Sequence, residues 1–210
     1  MSGALLIAID FDNTIISYDS LIHGLALDSR LIDASVGKNK TAVRDHIRGL
    51  PNGEQHWQKI QAAAYGPEMA QAQPAEGVQD FLSACSEHNC RVYIVSHKTE
   101  YAAQDNGRTN LRAAAMDWLS DHHFFGSDGL GLTQDNVFFE DTRIDKLNRV
   151  NSLGCSHFID DLEETFLEEG VPLTMDKILY APHGTQRDLP GVKQAANWRE
   201  VTDYVFNDID

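Results

Sequence analysis

Acidic side chains follow two apolar stretches of this 210-residue chain. Asp10 and Asp12 come directly after the apolar run 4–9, and Asp160 and Asp161 come after the short run 157–159. Carboxylates that are crowded together raise one another's pKa unless a cation offsets their charge. Mg²⁺ prefers oxygen ligands and is commonly held by one or two carboxylates together with phosphate oxygens. The sequence therefore predicts a magnesium site where the two acidic pairs meet.

Two further polar residues occupy comparable positions. Ser96 follows the apolar run 91–95, and Lys146 opens the helix-like segment that precedes the second acidic pair. In an open parallel sheet, ligands bind beyond the carboxyl ends of the strands, where loops and helix N-termini converge. If these runs are parallel strands, the serine, the lysine and the carboxylates meet at one edge of the sheet.

The rest of the chain supports such a sheet, because apolar runs alternate with helix-like segments. Continuous apolar runs are typical of strands buried on both faces, and their alternation with helices indicates a parallel sheet. We predict an α/β fold, a doubly wound three-layer sandwich with a mostly parallel five-stranded sheet. The predicted strands are 4–9, 91–95, 136–140, 157–159 and 177–180, and the predicted helices of this part are 78–88, 110–122, 146–153, 162–168 and 192–206.

The stretch after the first strand departs from this alternation. It shows helical patterns at 21–32, 41–50 and 55–65 and no convincing strand, and Gly and Pro residues break it into separate pieces. We predict a small helical cap at residues 16–74, inserted into a core domain made of residues 1–15 and 75–210. Extra core helices within a single domain are the alternative interpretation.

Composition excludes several classes of protein. Against 32 Asp+Glu there are only 17 scattered Lys+Arg, giving a formal net charge of -15. Nucleic-acid binding requires clustered basic residues, so no binding to a nucleic-acid backbone is expected. No apolar run approaches the roughly 20 residues that span a bilayer, and we expect a cytoplasmic protein without membrane contact. Three cysteines without a close pair predict free thiols.

The motif at residues 10–14, Asp-Phe-Asp-Asn-Thr, resembles the DxDx[T/V] nucleophile loop of the haloacid dehalogenase (HAD) superfamily. The serine, the lysine and the second acidic pair follow in the order that this family shows. The resemblance covers 4–15 and roughly 77–184, and HAD members also insert helical caps after the first motif. The second aspartate of the motif and Thr14 are similar to those of the phosphatase branch, whereas members that dehalogenate lack that aspartate.

The resemblance implies a role for each residue. Asp10 would be the nucleophile that forms an aspartyl phosphate, and Asp12 the general acid and then the general base. Ser96 and Lys146 would hold the phosphoryl oxygens.

The resemblance also implies a metal site. Mg²⁺ would be held by the carboxylates of Asp10 and Asp160 and by the backbone carbonyl of Asp12, with Asp161 and Thr14 in supporting positions.

The expected reaction is Mg²⁺-dependent hydrolysis of a small phosphorylated metabolite, such as a sugar phosphate or a nucleotide. Candidate substrate contacts outside the cap are His97, Lys98 and Arg143, and the cap offers Tyr18, His23, Lys38, Lys40, Arg44 and His46, none of which stands out. Two alternatives stay open: a phosphomutase of the same superfamily, and a non-catalytic phosphoacceptor that resembles a response-regulator receiver domain.

Overall fold

The computed structural model describes residues 4–101, 109–126, 129–169, 173–185 and 187–207. The strands are β1 (Leu6–Ile9), β2 (Ile16–Ser17), β3 (Gln73–Pro74), β4 (Arg91–His97), β5 (Val137–Glu140), β6 (His157–Asp160), β7 (Asp176–Tyr180) and β8 (Val192–Ala195). The α-helices are α1 (Asp19–Asp28), α2 (Lys40–Arg48), α3 (Gly53–Ala64), α4 (Val78–Glu87), α5 (Leu111–Asp121), α6 (Arg143–Ser152), α7 (Glu163–Phe166) and α8 (Trp198–Phe206). None of the helices described is long and apolar enough to cross a membrane.

Six strands form one sheet in the order β5-β4-β1-β6-β7-β8, and every neighbouring pair in it is parallel. At its centre, Ile9 of β1 is in register with Ile94 of β4 on one side and with Ile159 of β6 on the other. Because the strands are parallel, their carboxyl ends share one edge of the sheet. The predicted α/β fold with a mostly parallel sheet is confirmed.

The central strand is buried on both faces, as its continuous apolar sequence predicts. Ile7 and Ile9 pack into the core cluster on one face, which also holds Trp118 of α5. Ala8 points the other way, into a smaller cluster with Leu147 of α6. The sheet is therefore the middle layer of three.

The predicted strand count is wrong by one, because β8 lies within the region predicted as a helix from residue 192 to 206. Residues Val192–Ala195 form an edge strand, and Tyr180 of β7 is in register with Ala195. The helix begins at Trp198 instead, where the Asn197 side chain accepts a hydrogen bond from Glu200 N at 3.0 Å and caps it. An edge strand is half exposed, so its sequence, Val-Lys-Gln-Ala, contains no apolar run.

Three helices, α1 to α3, lie between β2 and β3 and pack on one another. The strands β2 and β3 pair in an antiparallel ribbon, with Ile16 opposite Pro74 and Ser17 opposite Gln73. We call residues 18–72 the helical insert. The sequence showed no strand here because strands of two residues are too short to produce a pattern. The division into a core and a cap at residues 16–74 stays a prediction.

Candidate active site

The loop after β1 places the first two carboxylates. Asp10 N donates to Ile159 O at 2.9 Å, which extends the pairing with β6 by one residue beyond the strand. The chain then turns sharply through Asn13, whose φ of 61° lies in the left-handed region that Asn tolerates better than most residues. Both Ile15 N and Ile16 N donate to Phe11 O, at 3.0 and 3.1 Å, and close the turn. Asp10 is thus fixed at the centre of the carboxyl edge.

Lys146 bridges two carboxylates from different strands. Its Nζ lies 2.5 Å from Asp10 Oδ1 and 2.6 Å from Asp160 Oδ2, and all three side chains are buried. Burial raises the pKa of Asp10 to about 6, although the ammonium of Lys146 opposes that shift. Burial alone would lower the pKa of Lys146, but the two carboxylates raise it above its usual range. The lysine therefore stays charged and can bind an anion at this position.

Lys146 is held in place by the start of α6. The Thr142 side chain caps the helix by accepting a hydrogen bond from Asp145 N at 3.1 Å. Thr142 Oγ1 also donates to Asp145 Oδ2 at 2.6 Å, and Lys146 N donates to Thr142 O at 3.0 Å. The ammonium thus extends from the first turn of a capped helix, so its position is determined by the helix start.

Three carboxylates, those of Asp10, Asp160 and Asp161, form the acidic cluster, in which one oxygen from each lies within 4.8 Å of the others. Burial and the charges of the two neighbours raise the pKa of Asp161 well above its usual range. This donor set of closely spaced carboxylate oxygens fits a hard divalent cation, which would offset the repulsion.

The two adjacent aspartates of the cluster differ in their partners. Asp160 Oδ1 accepts a hydrogen bond from Leu162 N at 2.9 Å, and its Oδ2 accepts from Lys146. Asp161 is partly exposed, and none of the residues that the structure describes donates a hydrogen bond to its carboxylate.

Ser96, at the carboxyl-terminal part of β4, is buried, with 1% of its surface exposed. Within the described part of the chain, its Oγ has no hydrogen-bond partner, and the same holds for Oγ1 of Thr14. A buried hydroxyl without a partner carries a cost in free energy of about 1–3 kcal/mol. A ligand oxygen at the strand edge would satisfy the serine hydroxyl.

The carboxylate of Asp12 contacts a different set of side chains from that of Asp10. Tyr18 donates its hydroxyl proton to Asp12 Oδ1 at 2.7 Å. The Nζ of Lys98 lies 3.0 Å from Oδ1 and 2.8 Å from Oδ2 of the same carboxylate. Asp12 Oδ1 therefore accepts two hydrogen bonds, one of them from the helical insert, while the Lys98 ammonium also lies close to Oδ2.

A cavity of about 880 Å³ opens beside the acidic cluster. Asn13 and Asp161 line it at the sheet edge, and Lys40 and Arg44 line it from α2. The far wall comes from the loop after β7, where His183 Nε2 lies 2.6 Å from Asp19 Oδ2 of α1. The cavity is large enough for a small organic molecule, and the helical insert and the sheet edge both contribute to its walls.

No protein-family model matches the sequence, and the search of curated proteins found no match either. Solved structures do match. A haloacid dehalogenase-like hydrolase from Streptococcus pneumoniae is 17% identical with a TM-score of 0.57, and the match covers 98% of this chain and 100% of that one. The chain has a haloacid dehalogenase-like fold.

Two more structures of this fold show the same extent of likeness. A HAD hydrolase from Bacillus subtilis, described as bound to magnesium and as revealing interdomain movement, is 14% identical with a TM-score of 0.53, covering 97% of this chain and 99% of that one. A phosphoserine phosphohydrolase-like protein from Francisella tularensis is 14% identical with a TM-score of 0.51, covering 96% and 100%. The matched regions extend over nearly the whole chain.

Within this haloacid dehalogenase-like fold, three predicted substrate contacts lie at different places. Lys98 is buried against Asp12. His97 is exposed, with Nε2 3.0 Å from Asp141 O. Arg143 lies against Glu168, with 3.8 Å between NH1 and Oε2. Of the three, the structure brings only Lys98 together with the predicted catalytic residues.

Sequence reasoning missed Tyr65, which follows α3 in the helical insert. Its ring lies 4.3 Å from that of Tyr18, its hydroxyl accepts a hydrogen bond from Asn13 Nδ2 at 3.4 Å, and Lys40 Nζ lies 5.5 Å from its ring centroid. The sequence suggested Tyr18 and Lys40 as candidates only in general terms. No spacing pattern marks Tyr65, because its partners are brought to it by tertiary packing of the insert.

Of the other cap candidates, His23 is buried with Nε2 3.1 Å from Val36 O, which indicates a structural role.

Proposed function

We propose that this chain is a HAD-superfamily phosphohydrolase that uses Mg²⁺ and an aspartyl-phosphate intermediate to hydrolyse a small phosphorylated metabolite. The observation that carries the proposal is the contact of Lys146 with Asp10 at the carboxyl edge of the sheet, the edge at which β4 carries Ser96 with its unpartnered hydroxyl. A carboxylate nucleophile, an ammonium and a free hydroxyl donor suit the transfer of a phosphoryl group, which depends mainly on positioning and charge stabilisation. The magnesium-bound neighbour and the phosphoserine phosphohydrolase-like neighbour support the same reaction class.

The reaction would proceed in two steps, formation and then hydrolysis of the aspartyl phosphate. In the first, an oxygen of Asp10 attacks phosphorus, the bond from phosphorus to the leaving oxygen breaks, and Asp12 gives its proton to that oxygen. In the second, Asp12 takes a proton from water as the water attacks phosphorus, and the bond to Asp10 breaks to release phosphate. Ser96 and Lys146 would hold the non-bridging oxygens throughout, the first through a hydrogen bond and the second through its charge.

Mg²⁺, when bound, would neutralise charge on the phosphoryl oxygens and on the acidic cluster. The family resemblance implies Asp160 as a carboxylate ligand and Asp161 as its support. The contacts favour the opposite arrangement, because both oxygens of Asp160 already accept hydrogen bonds whereas the carboxylate of Asp161 is partly exposed. We therefore propose Asp10, the backbone carbonyl of Asp12 and Asp161 as the ligands, with Asp160 holding Lys146.

The cavity supports a small-metabolite substrate. It lies beside Asp161 and is lined from both the sheet edge and the helical insert, so the leaving group would contact the insert. We propose that the insert acts as the cap and contributes specificity, with Lys40 and Arg44 as its charged contacts. Closure over the leaving group would also exclude water that competes for reactive groups.

Substitution of the two motif aspartates tests this function. Asp10→Asn removes the nucleophile, and we expect Mg²⁺-dependent hydrolysis of 4-nitrophenyl phosphate to fall to background. Asp12→Asn removes the general acid and base, and we expect hydrolysis of phenyl phosphate, whose leaving oxygen needs a proton, to fall by about 10²- to 10⁴-fold. Phosphate release is measured with Mg²⁺ and with EDTA, and circular dichroism confirms that each variant is folded. Equal rates in both variants and the parent would refute the proposal.

Product analysis separates hydrolysis from the alternatives. A panel of sugar phosphates and nucleotides should yield free phosphate in a hydrolase and an isomeric phosphate in a mutase. A stable phosphoprotein without turnover after incubation with acetyl phosphate would indicate a receiver-like phosphoacceptor.

A further inference from the structure

The carboxylate of Asp12 is held by two side chains that the reaction scheme above does not use. Tyr18 donates to Oδ1 at 2.7 Å, Lys98 donates to the same oxygen at 3.0 Å, and the Lys98 Nζ lies 2.8 Å from Oδ2 as an ion pair. The terminal torsion of an aspartate is normally broad, so a carboxylate with one partner or none samples many orientations. Two donors on Oδ1, together with the ammonium of Lys98 beside Oδ2, restrict Asp12 to a single orientation.

Lys98 is itself rigidly placed, unlike a typical surface lysine. Its side chain is 3% exposed, and its Nζ lies 5.5 Å from the ring centroid of Phe11 and 5.6 Å from that of Tyr65. Its backbone is fixed as well, because Lys98 N donates to Glu140 O at 3.0 Å and Arg112 Nε donates to Lys98 O at 2.8 Å. Packing has therefore already fixed the Lys98 side chain, so its contact with Asp12 costs little further side-chain entropy.

The second donor to Asp12, Tyr18, lies at the junction between β2 and α1. It is fully buried and packs against the ring of Tyr65. Burial and the nearby Asp12 carboxylate raise the pKa of Tyr18 well above its usual range, so the phenol keeps its proton and remains a donor. The sheet side and the helical insert thus each provide one donor to the same carboxylate.

We propose that Lys98 and Tyr18 are positioning residues for Asp12, which fix its carboxylate where it can pass a proton to the leaving oxygen. This inference rests on the proposed phosphohydrolase function. Proton transfer requires the acid within hydrogen-bond reach of the reacting atom, and a misplacement of about 1 Å can cost of the order of 10²-fold in rate. Neither side chain exchanges a proton or a bond with the substrate in this scheme.

The leaving group provides a test that a purely structural role would not pass. Phenolate needs a proton from the general acid as it leaves, whereas 4-nitrophenolate is stable enough to leave without one. In Lys98→Met and Tyr18→Phe, we expect kcat/KM to fall at least about tenfold for phenyl phosphate and less than about threefold for 4-nitrophenyl phosphate. Lys98→Arg should recover part of the loss with phenyl phosphate, because a guanidinium can donate to both carboxylate oxygens.

Matched controls come from a similar pair, one residue on β8 and one on α8, neither of which contacts Asp12 or lines the cavity. Lys193 Nζ lies 5.4 Å from the ring centroid of Tyr204, whose hydroxyl donates to Gln194 O at 3.2 Å. Lys193→Met and Tyr204→Phe remove the same groups and should leave kcat/KM for both substrates unchanged. If Lys98→Met fails to fold by circular dichroism, Tyr18→Phe, which removes only one oxygen atom, decides the result.

The outcomes are distinguishable. Equal losses with both aryl phosphates, or no loss with either, in a parent whose activity depends on Asp10 and Asp12 would overturn the positioning role alone. A parent that hydrolyses neither substrate with Mg²⁺ present would overturn the proposed function and this inference together.

Discussion

At the scale of single residues, adjacent aspartates in the sequence take different positions in the site. The side chain of Asp160, at the end of β6, is fully buried and contacts Lys146, while that of Asp161 lies partly exposed beside the cavity. The sequence alone could predict that both lie at the strand end. It could not predict which carboxylate would be taken up by the lysine, because that depends on where α6 places Lys146.

Substitution of Asp160 and of Asp161, one at a time, should distinguish their two roles. Asp161→Asn should raise the Mg²⁺ concentration for half-maximal activity at least about tenfold, the change that corresponds to roughly 1.4 kcal/mol. Asp160→Asn should leave that concentration nearly unchanged, but lower the free energy of unfolding by about 1–3 kcal/mol, because Lys146 loses a charged partner. Magnesium titration of activity and urea denaturation measure the two effects. The reverse pattern would restore Asp160 as the carboxylate ligand.

The contacts around Asp12 show what could not be predicted from the sequence at this scale. The DxDx[T/V] motif and the order of the later residues predict Asp10, Asp12, Ser96 and Lys146 as one catalytic group. In the structure Lys146 contacts Asp10, and Ser96 lies at the carboxyl-terminal part of β4. Tyr18 and Tyr65 come from the insert, where no spacing rule relates one ring to another. Their contacts follow from the packing of α1 and α3, which only the folded chain shows.

At the scale of elements, the sequence predicted the helices and buried strands better than the edge strand. Buried strands such as β1 are recognisable because both faces must be apolar. The edge strand β8 has a polar sequence, and the strands of the β2–β3 ribbon are only two residues long. These elements depend on hydrogen bonds to a neighbouring strand, which no local pattern records.

The N-cap of α6 yields a prediction at this scale. Thr142→Ala removes the cap from the helix whose first turn carries Lys146, and should lower the free energy of unfolding by about 1 kcal/mol. Because the same turn sets the position of the ammonium, kcat should fall too, whereas Thr142→Ser keeps the hydroxyl and should resemble the parent. Asn110→Ala, at the cap of α5 and outside the walls of the cavity, is the control: it should reduce stability similarly and leave kcat unchanged. Equal kcat in both alanine variants would show that the cap does not position Lys146.

At the scale of the whole molecule, the net charge of -15 opposes the approach of an anionic substrate. The Debye length shortens from about 30 Å at 0.01 M ionic strength to about 8 Å at 0.15 M, so added salt screens the distant acidic surface far more than contacts inside the site.

Activity should therefore increase with moderate salt. Between 0.01 and 0.15 M KCl, with Mg²⁺ saturating at each point, we expect kcat/KM for an aryl phosphate to rise about two- to threefold, since repulsion of the anion weakens. Glucose at matched viscosity serves as the uncharged control. A steady decrease with salt would mean that Lys146 and the bound cation dominate the field at long range.

The ribbon of β2 and β3 gives the molecule a mechanical property. Two independent tethers would let the helical insert swing in any direction, but paired strands resist sliding and allow mainly bending and twisting about one line. Tyr18 is the first residue after Ser17 at the end of that ribbon, and its hydroxyl contacts Asp12. Any rotation of the insert about this ribbon would move Tyr18, and through its hydrogen bond would reorient the carboxylate of Asp12. The angle of the insert and the orientation of the Asp12 carboxylate would thus be coupled to each other.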